Sequence, residues 1–132
     1  MPDIAPGYSG KTLVQKLGVK TGMRVRVTGF DGDWDALIGA MGVEHAATDL
    51  ALQHLFVTKV DTLRDGLVEA VAHMAKDGMI WVSWPKKASG VATEVSEDTV
   101  RLVALPMGLV DIKVCAVTDV WSGLKLVRRR RE

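Results

Sequence analysis

Apolar and polar positions along the chain separate short strands from helices. The run Leu50-Ala51-Leu52-Gln53-His54-Leu55-Phe56-Val57 is mostly apolar, and so is Met79-Ile80-Trp81-Val82-Ser83-Trp84. Between them Val60, Leu63, Leu67, Val71 and Met74 or Ala75 recur at spacings of three and four. That is the period of a helix burying one face, here over 60–75, and Lys76-Asp77-Gly78 turns the chain into the second run. Two apolar runs joined by an amphipathic helix predict a βαβ unit with parallel strands. The second run is apolar on both faces except at Ser83, which predicts a central strand.

The remaining segments follow the same logic. Met23, Val25 and Val27 alternate with Arg24, Arg26 and Thr28, the pattern of an edge strand with one wet face. Ser9 caps a predicted helix to Leu17, with Leu13, Val14 and Leu17 on one side and Gly18 as its stop. Gly29 to Asp33 reads as a turn, and Asp33 as the cap of a helix over 34–41, led by Trp34, Leu37 and Ile38 and ended by Gly42. Residues 43–48 carry no pattern of their own. After a loop over 88–94, Ser96 caps a helix to 105 with Glu97 and Asp98 in its first turn, where the helix dipole favours them. Val100, Val103 and Ala104 face inward, and Pro106 and Gly108 end the helix. Alternation over 110–118, a turn over 119–123 and a return over 124–127 predict a hairpin. Met1 to Tyr8 reads as an extended arm and 128–132 as a basic, solvated tail, so residues 1–132 form one domain.

Composition narrows the class. Hydrophobic residues make up 48% of the 132-residue chain and charged residues 25%, as in a globular domain. A net charge of +1 gives no global field for nucleic acid, which we expect not to be a partner. One cysteine, Cys115, excludes an internal disulfide framework and a cysteine-rich metal site. No stretch reads as a signal peptide or a membrane span, so a cytoplasmic protein is expected.

The order helix, strand, helix, strand, helix, strand, helix, hairpin is similar to a shortened class I methyltransferase fold. Three stretches carry the likeness: Leu17 to Val25, Asp49-Leu50-Ala51-Leu52, and Met74 to Val82. The whole chain also resembles a small bacterial family of uncharacterised proteins through Asp77 to Lys87. The methyltransferase resemblance implies a single three-layer α/β domain with a five-stranded, mostly parallel sheet. Its strands would run in the order first, second, third, fifth, fourth, with an antiparallel C-terminal hairpin strand. Two strands of the family fold, the second and third, are absent from this pattern. With them goes the acid that binds the ribose of S-adenosylmethionine, and bulky Phe30 sits between Gly29 and Gly32 in the loop that such enzymes keep open. Without those strands the first strand becomes an edge and no reversal of strand order remains. Right-handed crossovers then put the helices at 34–41, 60–75 and 96–105 on one face and leave only 10–17 for the other. The thinly covered face or the first-strand edge calls for a second copy, so a homodimer is expected.

Candidate chemistry is sparse. Ala5 to Thr12 matches a loose P-loop pattern, but only Met1 to Ile4 precede it where a buried strand is required. Gly29, Asp31, Gly32, Lys59, Ser83, Trp84, Lys86 and Lys87 converge on the edge where open α/β sheets hold ligands. There the lysines suit a small anion or nucleotide-like ligand and Trp84 suits a ring. His45, His54 and His73 show no metal spacing, Cys115 lacks a partnered base, and no catalytic residue or cofactor is indicated. The chain thus predicts a non-catalytic, methyltransferase-like binding or interaction module. The competing expectation is a small enzyme or sensor with its ligand at that edge.

Overall fold

Arg24 and Arg26 make the first strand something other than a wet edge. In the computed structural model, which describes residues 11–130, strand β1 (Arg24–Thr28) is followed by helix α2 (Trp34–Ile38) and a two-residue parallel strand β2 (Glu44–His45) beside it. The Arg24 guanidinium pairs with Glu44 at 2.7 Å and donates twice to the Thr48 carbonyl, and Arg26 reaches the Ala47 carbonyl. The two arginines therefore hold the 44–48 segment onto β1. Their alternation with valines reflects that task.

The sheet has six strands in the order β2-β1-β3-β4-β6-β5. Strands β3 (Leu50–Phe56) and β4 (Met74–Pro85) continue the parallel part, and β5 (Leu109–Ala116) and β6 (Trp121–Arg128) form the hairpin. β6 lies antiparallel to β4, between β4 and β5. The five expected strands thus stand in the expected order, and the count is corrected to six. Only one of the two missing strands is missing outright, because β2 persists as a short remnant. β1 is not an edge, and strand order does reverse between β1 and β3.

That reversal moves a helix. A right-handed crossover from β1 to β2 runs opposite in direction to the one from β3 to β4, so their helices lie on opposite faces. Helix α1 (Leu13–Leu17) and α2 share one side, with Leu17, Trp34 and Ile38 packed on Val25, Leu52, Phe56 and Trp81. Helices α3 (Val60–His73) and α4 (Glu97–Ala104) cover the other, where Leu63, Leu67, Val100 and Ala104 pack on Leu55, Ile80, Val82 and Leu124. Two helices per face replace the expected three and one, and the domain keeps its three layers. Each fully buried leucine contributes about 1.5–3 kcal/mol by leaving water.

Local chemistry sets the boundaries. Thr12 and Gln15 form the capping box of α1, so the expected helix from Ser9 lies partly outside the described residues and starts later within them. Gly39, at φ 85°, stops α2 three residues before Gly42. The turn expected at Lys76–Gly78 is an irregularity inside β4, where pairing jumps from Leu50–Met74 to Leu52–Met79. A Cβ on Gly78 would stand 2.6 Å from the Leu50 carbonyl oxygen, which only glycine tolerates. Among the described residues no helix is long and apolar enough to cross a membrane.

Candidate functional site

The reversal between β1 and β3 opens a crevice at the C-terminal ends of the parallel strands, the usual ligand position in such sheets. Here the chain fills that place with its own side chains. Gly29, at φ 83°, brings the β1–α2 loop so close to β3 that a Cβ would lie 2.2 Å from the Phe56 carbonyl oxygen. Phe30 then lays its ring against Phe56, with centroids 4.9 Å apart, and closes over Gly32, where an added Cβ would meet the ring at 2.9 Å. Phe56 stacks on His54 at 4.1 Å and meets the edge of Trp121 at 5.1 Å. Asp33 caps α2 through the Ala36 amide, which fixes the far end of the loop.

Beneath these rings lies a buried polar chain. The Trp34 indole N–H donates to His54 Nδ1 at 3.0 Å, and His54 Nε2 lies 2.8 Å from Ser83 Oγ. An indole nitrogen can only donate, so His54 Nδ1 accepts and the ring proton sits on Nε2, donated to Ser83. Burial holds the His54 pKa down to about 3, so the ring is neutral. A serine beside a histidine resembles a nucleophile with its base, but the polarity is reversed. A catalytic histidine must accept the serine proton and donate its other N–H to an acid. His54 does the opposite on both sides, and both His54 and Ser83 are fully buried. The trio is a structural network.

The start of α3 is filled as well. Glu94 Oε1 accepts from the Val60 amide at 3.0 Å, while the Glu94 amide and the Thr93 hydroxyl both bond the Thr58 carbonyl. A carboxylate of the chain itself therefore occupies the positive end of that helix, where an anion would bind. Lys59 precedes the helix and is exposed, and it makes no side-chain cap. Lys86 is half-buried and Lys87 exposed, in the short turn that follows β4. Asp31 is exposed at the loop. Trp84 is 7% exposed and belongs to the α3/α4 core, on the opposite face from Ser83, so its ring packs where it was expected to stack on a ligand. The eight expected residues share one end of the sheet, but Ser83 and Trp84 are walled into opposite layers.

β2 ends on His45, whose Nε2 lies 2.7 Å from Asp35 Oδ1, so an imidazole stands where the resemblance would put an acid. Cys115 is buried, which raises its thiol pKa against the opposing pull of Lys16 and Lys113. His73 pairs with Glu69 on the surface of α3. The P-loop-like stretch lies almost wholly outside the described residues.

The profile of one protein family matches residues 14–130. The chain belongs to that family, DUF3052, proteins of unknown function. No curated protein matches it. Solved structures of similar fold include a SAM-dependent methyltransferase from Aquifex aeolicus, 14% identical, with a TM-score of 0.61 and 87% of each chain covered. A putative type 11 methyltransferase from Sulfolobus solfataricus is 12% identical, with a TM-score of 0.55 over 91% of each chain. The magnesium protoporphyrin IX methyltransferase from Synechocystis, solved with bound SAM, is 12% identical, with a TM-score of 0.57 over 88% of this chain and 74% of its own. At such identities the likeness establishes a methyltransferase-like fold and nothing about activity. The buried Trp34–His54–Ser83 trio was missed by sequence reasoning. Its signal was two polar residues, His54 and Ser83, each set inside an apolar strand.

Proposed function

We propose that the chain is a non-catalytic, methyltransferase-like module that works by binding a partner. The observation that carries this is the occupied crevice: Phe30 closed onto Phe56 above a neutral, fully buried His54. A cofactor entering there would have to displace the Phe30 ring, and it would meet His45 at the end of β2 in place of an acid. Calorimetric titration with S-adenosylmethionine, S-adenosylhomocysteine and ATP tests the proposal. No heat of binding is expected up to millimolar ligand. Micromolar affinity for any of the three would instead support the competing reading, an enzyme or sensor with a ligand held near Gly29, Asp31, Gly32, Lys59, Lys86 and Lys87.

The partner we propose is a second copy of the chain, at an edge other than the first strand. β2 covers β1, so among the described residues the free edge of useful length is β5, which leaves Ile112 and Val114 about half exposed. Sedimentation should show a dimer that Val114→Lys dissociates, with secondary structure unchanged. A monomer at every concentration, or a dimer insensitive to this change, would remove β5 from the proposal.

A further inference from the structure

At the opposite end of the sheet two adjoining hollows of about 340 and 490 Å³ share Arg128, Arg129 and Arg130 in their walls. Val71 and Met107 line the first, and Lys76, Asp77 and Gly78 the second. Helix ends account for part of this basic run. Arg128 donates to the Val71 carbonyl at 3.2 Å in the last turn of α3, and Arg129 to the Leu105 carbonyl at 3.4 Å just past α4. The Arg129 amide also bonds the Gly108 carbonyl at 2.7 Å. Arg128 and Arg129 are thus tied to helix ends while remaining exposed, and their two guanidinium groups are held in place with most of their N–H donors unspent.

Capping does not account for Arg130 and Lys76. Among the described residues, none of Lys76, Arg128, Arg129 and Arg130 makes an ion pair, and Asp77 is the one acid in the lining. Among the described lining residues four cations against one carboxylate give +3, on a chain whose total is +1. Like charges gathered without counterions repel one another, and an anion bound between them removes that cost.

We propose that this groove binds a small ligand carrying two or more linked phosphates. Guanidinium forks match phosphate and carboxylate oxygens alike in pairs, and linked phosphates bring the several negative charges that such a cluster of cations calls for, where an isolated carboxylate brings one. The hollows are of the size that holds a small molecule, and their shared arginines suit neighbouring phosphate groups. The near-neutral remainder of the chain offers no wide field for a long polyanion such as duplex nucleic acid. This site is separate from the crevice at the other end of the sheet and stands or falls apart from it.

Calorimetry on the full chain at low ionic strength tests it, with inorganic pyrophosphate and tripolyphosphate as probes and with sulfate and a glutamate-rich peptide as controls. Both phosphate probes should bind, more weakly as salt rises. The double variant Lys76→Gln/Arg130→Gln should lose at least tenfold in affinity with an unchanged melting temperature, since neither side chain holds the fold. The proposal is overturned if neither phosphate probe binds at millimolar concentration. It is equally overturned if the double variant binds as the parent does, or if sulfate or the peptide binds as tightly as the phosphates.

Discussion

Lowering the pH from 7 to 4.5 should cost the fold about 3 kcal/mol through His54 alone. The ring is neutral in the folded chain because burial holds its pKa at about 3, and an unfolded histidine titrates near 6.5. Between those values the unfolded chain binds a proton that the folded chain refuses. Stability is therefore full above about pH 6.5 and falls steadily as the pH drops toward 3. Urea unfolding at pH 7 and 4.5 measures the loss. Other groups contribute as the pH falls, among them Asp111, whose carboxyl the Arg101 guanidinium holds below its ordinary pKa, so that its share is lost mainly below the unfolded carboxylate value of about 4. The His54→Gln variant separates them. Glutamine can accept from Trp34 and donate to Ser83 but has no proton to gain. Its own loss between the two pH values should be smaller than the parent's by about 3 kcal/mol. Equal losses in the two proteins would mean that His54 is already charged in the fold or reached by water.

Trp81→Ala should be the most damaging single substitution in the sheet, at about 3–5 kcal/mol. The ring is fully buried in β4, and its indole N–H donates to the Leu17 carbonyl at 2.9 Å. That bond ties the C-terminal end of α1 to the central strand across the layer. Gly123 on β6 lies under the ring, where an added Cβ would come within 3.3 Å of it. Alanine leaves a cavity between three elements and an unpaired carbonyl at the end of α1. Chemical denaturation gives the magnitude, and hydrogen exchange at α1 shows whether that helix loosens first. A loss below about 1 kcal/mol would mean that the layer collapses into the space left behind.

Much of this architecture was legible because strand and helix periods are strong where burial is one-sided. Leu63, Leu67 and Val71 mark α3 by spacing alone, and the β5–β6 hairpin follows from alternation, with its place beside β4 implied by the methyltransferase resemblance. The remnant strand β2 was not legible. Glu44 and His45 are exposed and polar, and the arginines that secure them sit some twenty residues earlier in the chain. Missing those two residues had large consequences. It removed the reversal of strand order, put α2 on the wrong face and made β1 an edge. The filling of the crevice was half visible: Phe30 stood out among its glycines, but its contact with Phe56 depends on the sheet bringing positions 30 and 56 together. Trp84 misled because an aromatic side chain at the end of a strand suits a ligand and a core equally well. Alternation decides between them, and it turns Trp84 toward α3 and α4, away from Ser83.

The filled crevice is most directly tested by a crystal structure of the chain grown with millimolar S-adenosylmethionine. Phe30 should lie against Phe56, with ring centroids 4.9 Å apart, and no ligand density should appear beside the Gly29–Asp33 loop. Density for the cofactor at that loop, with the Phe30 ring swung away from Phe56, would contradict it.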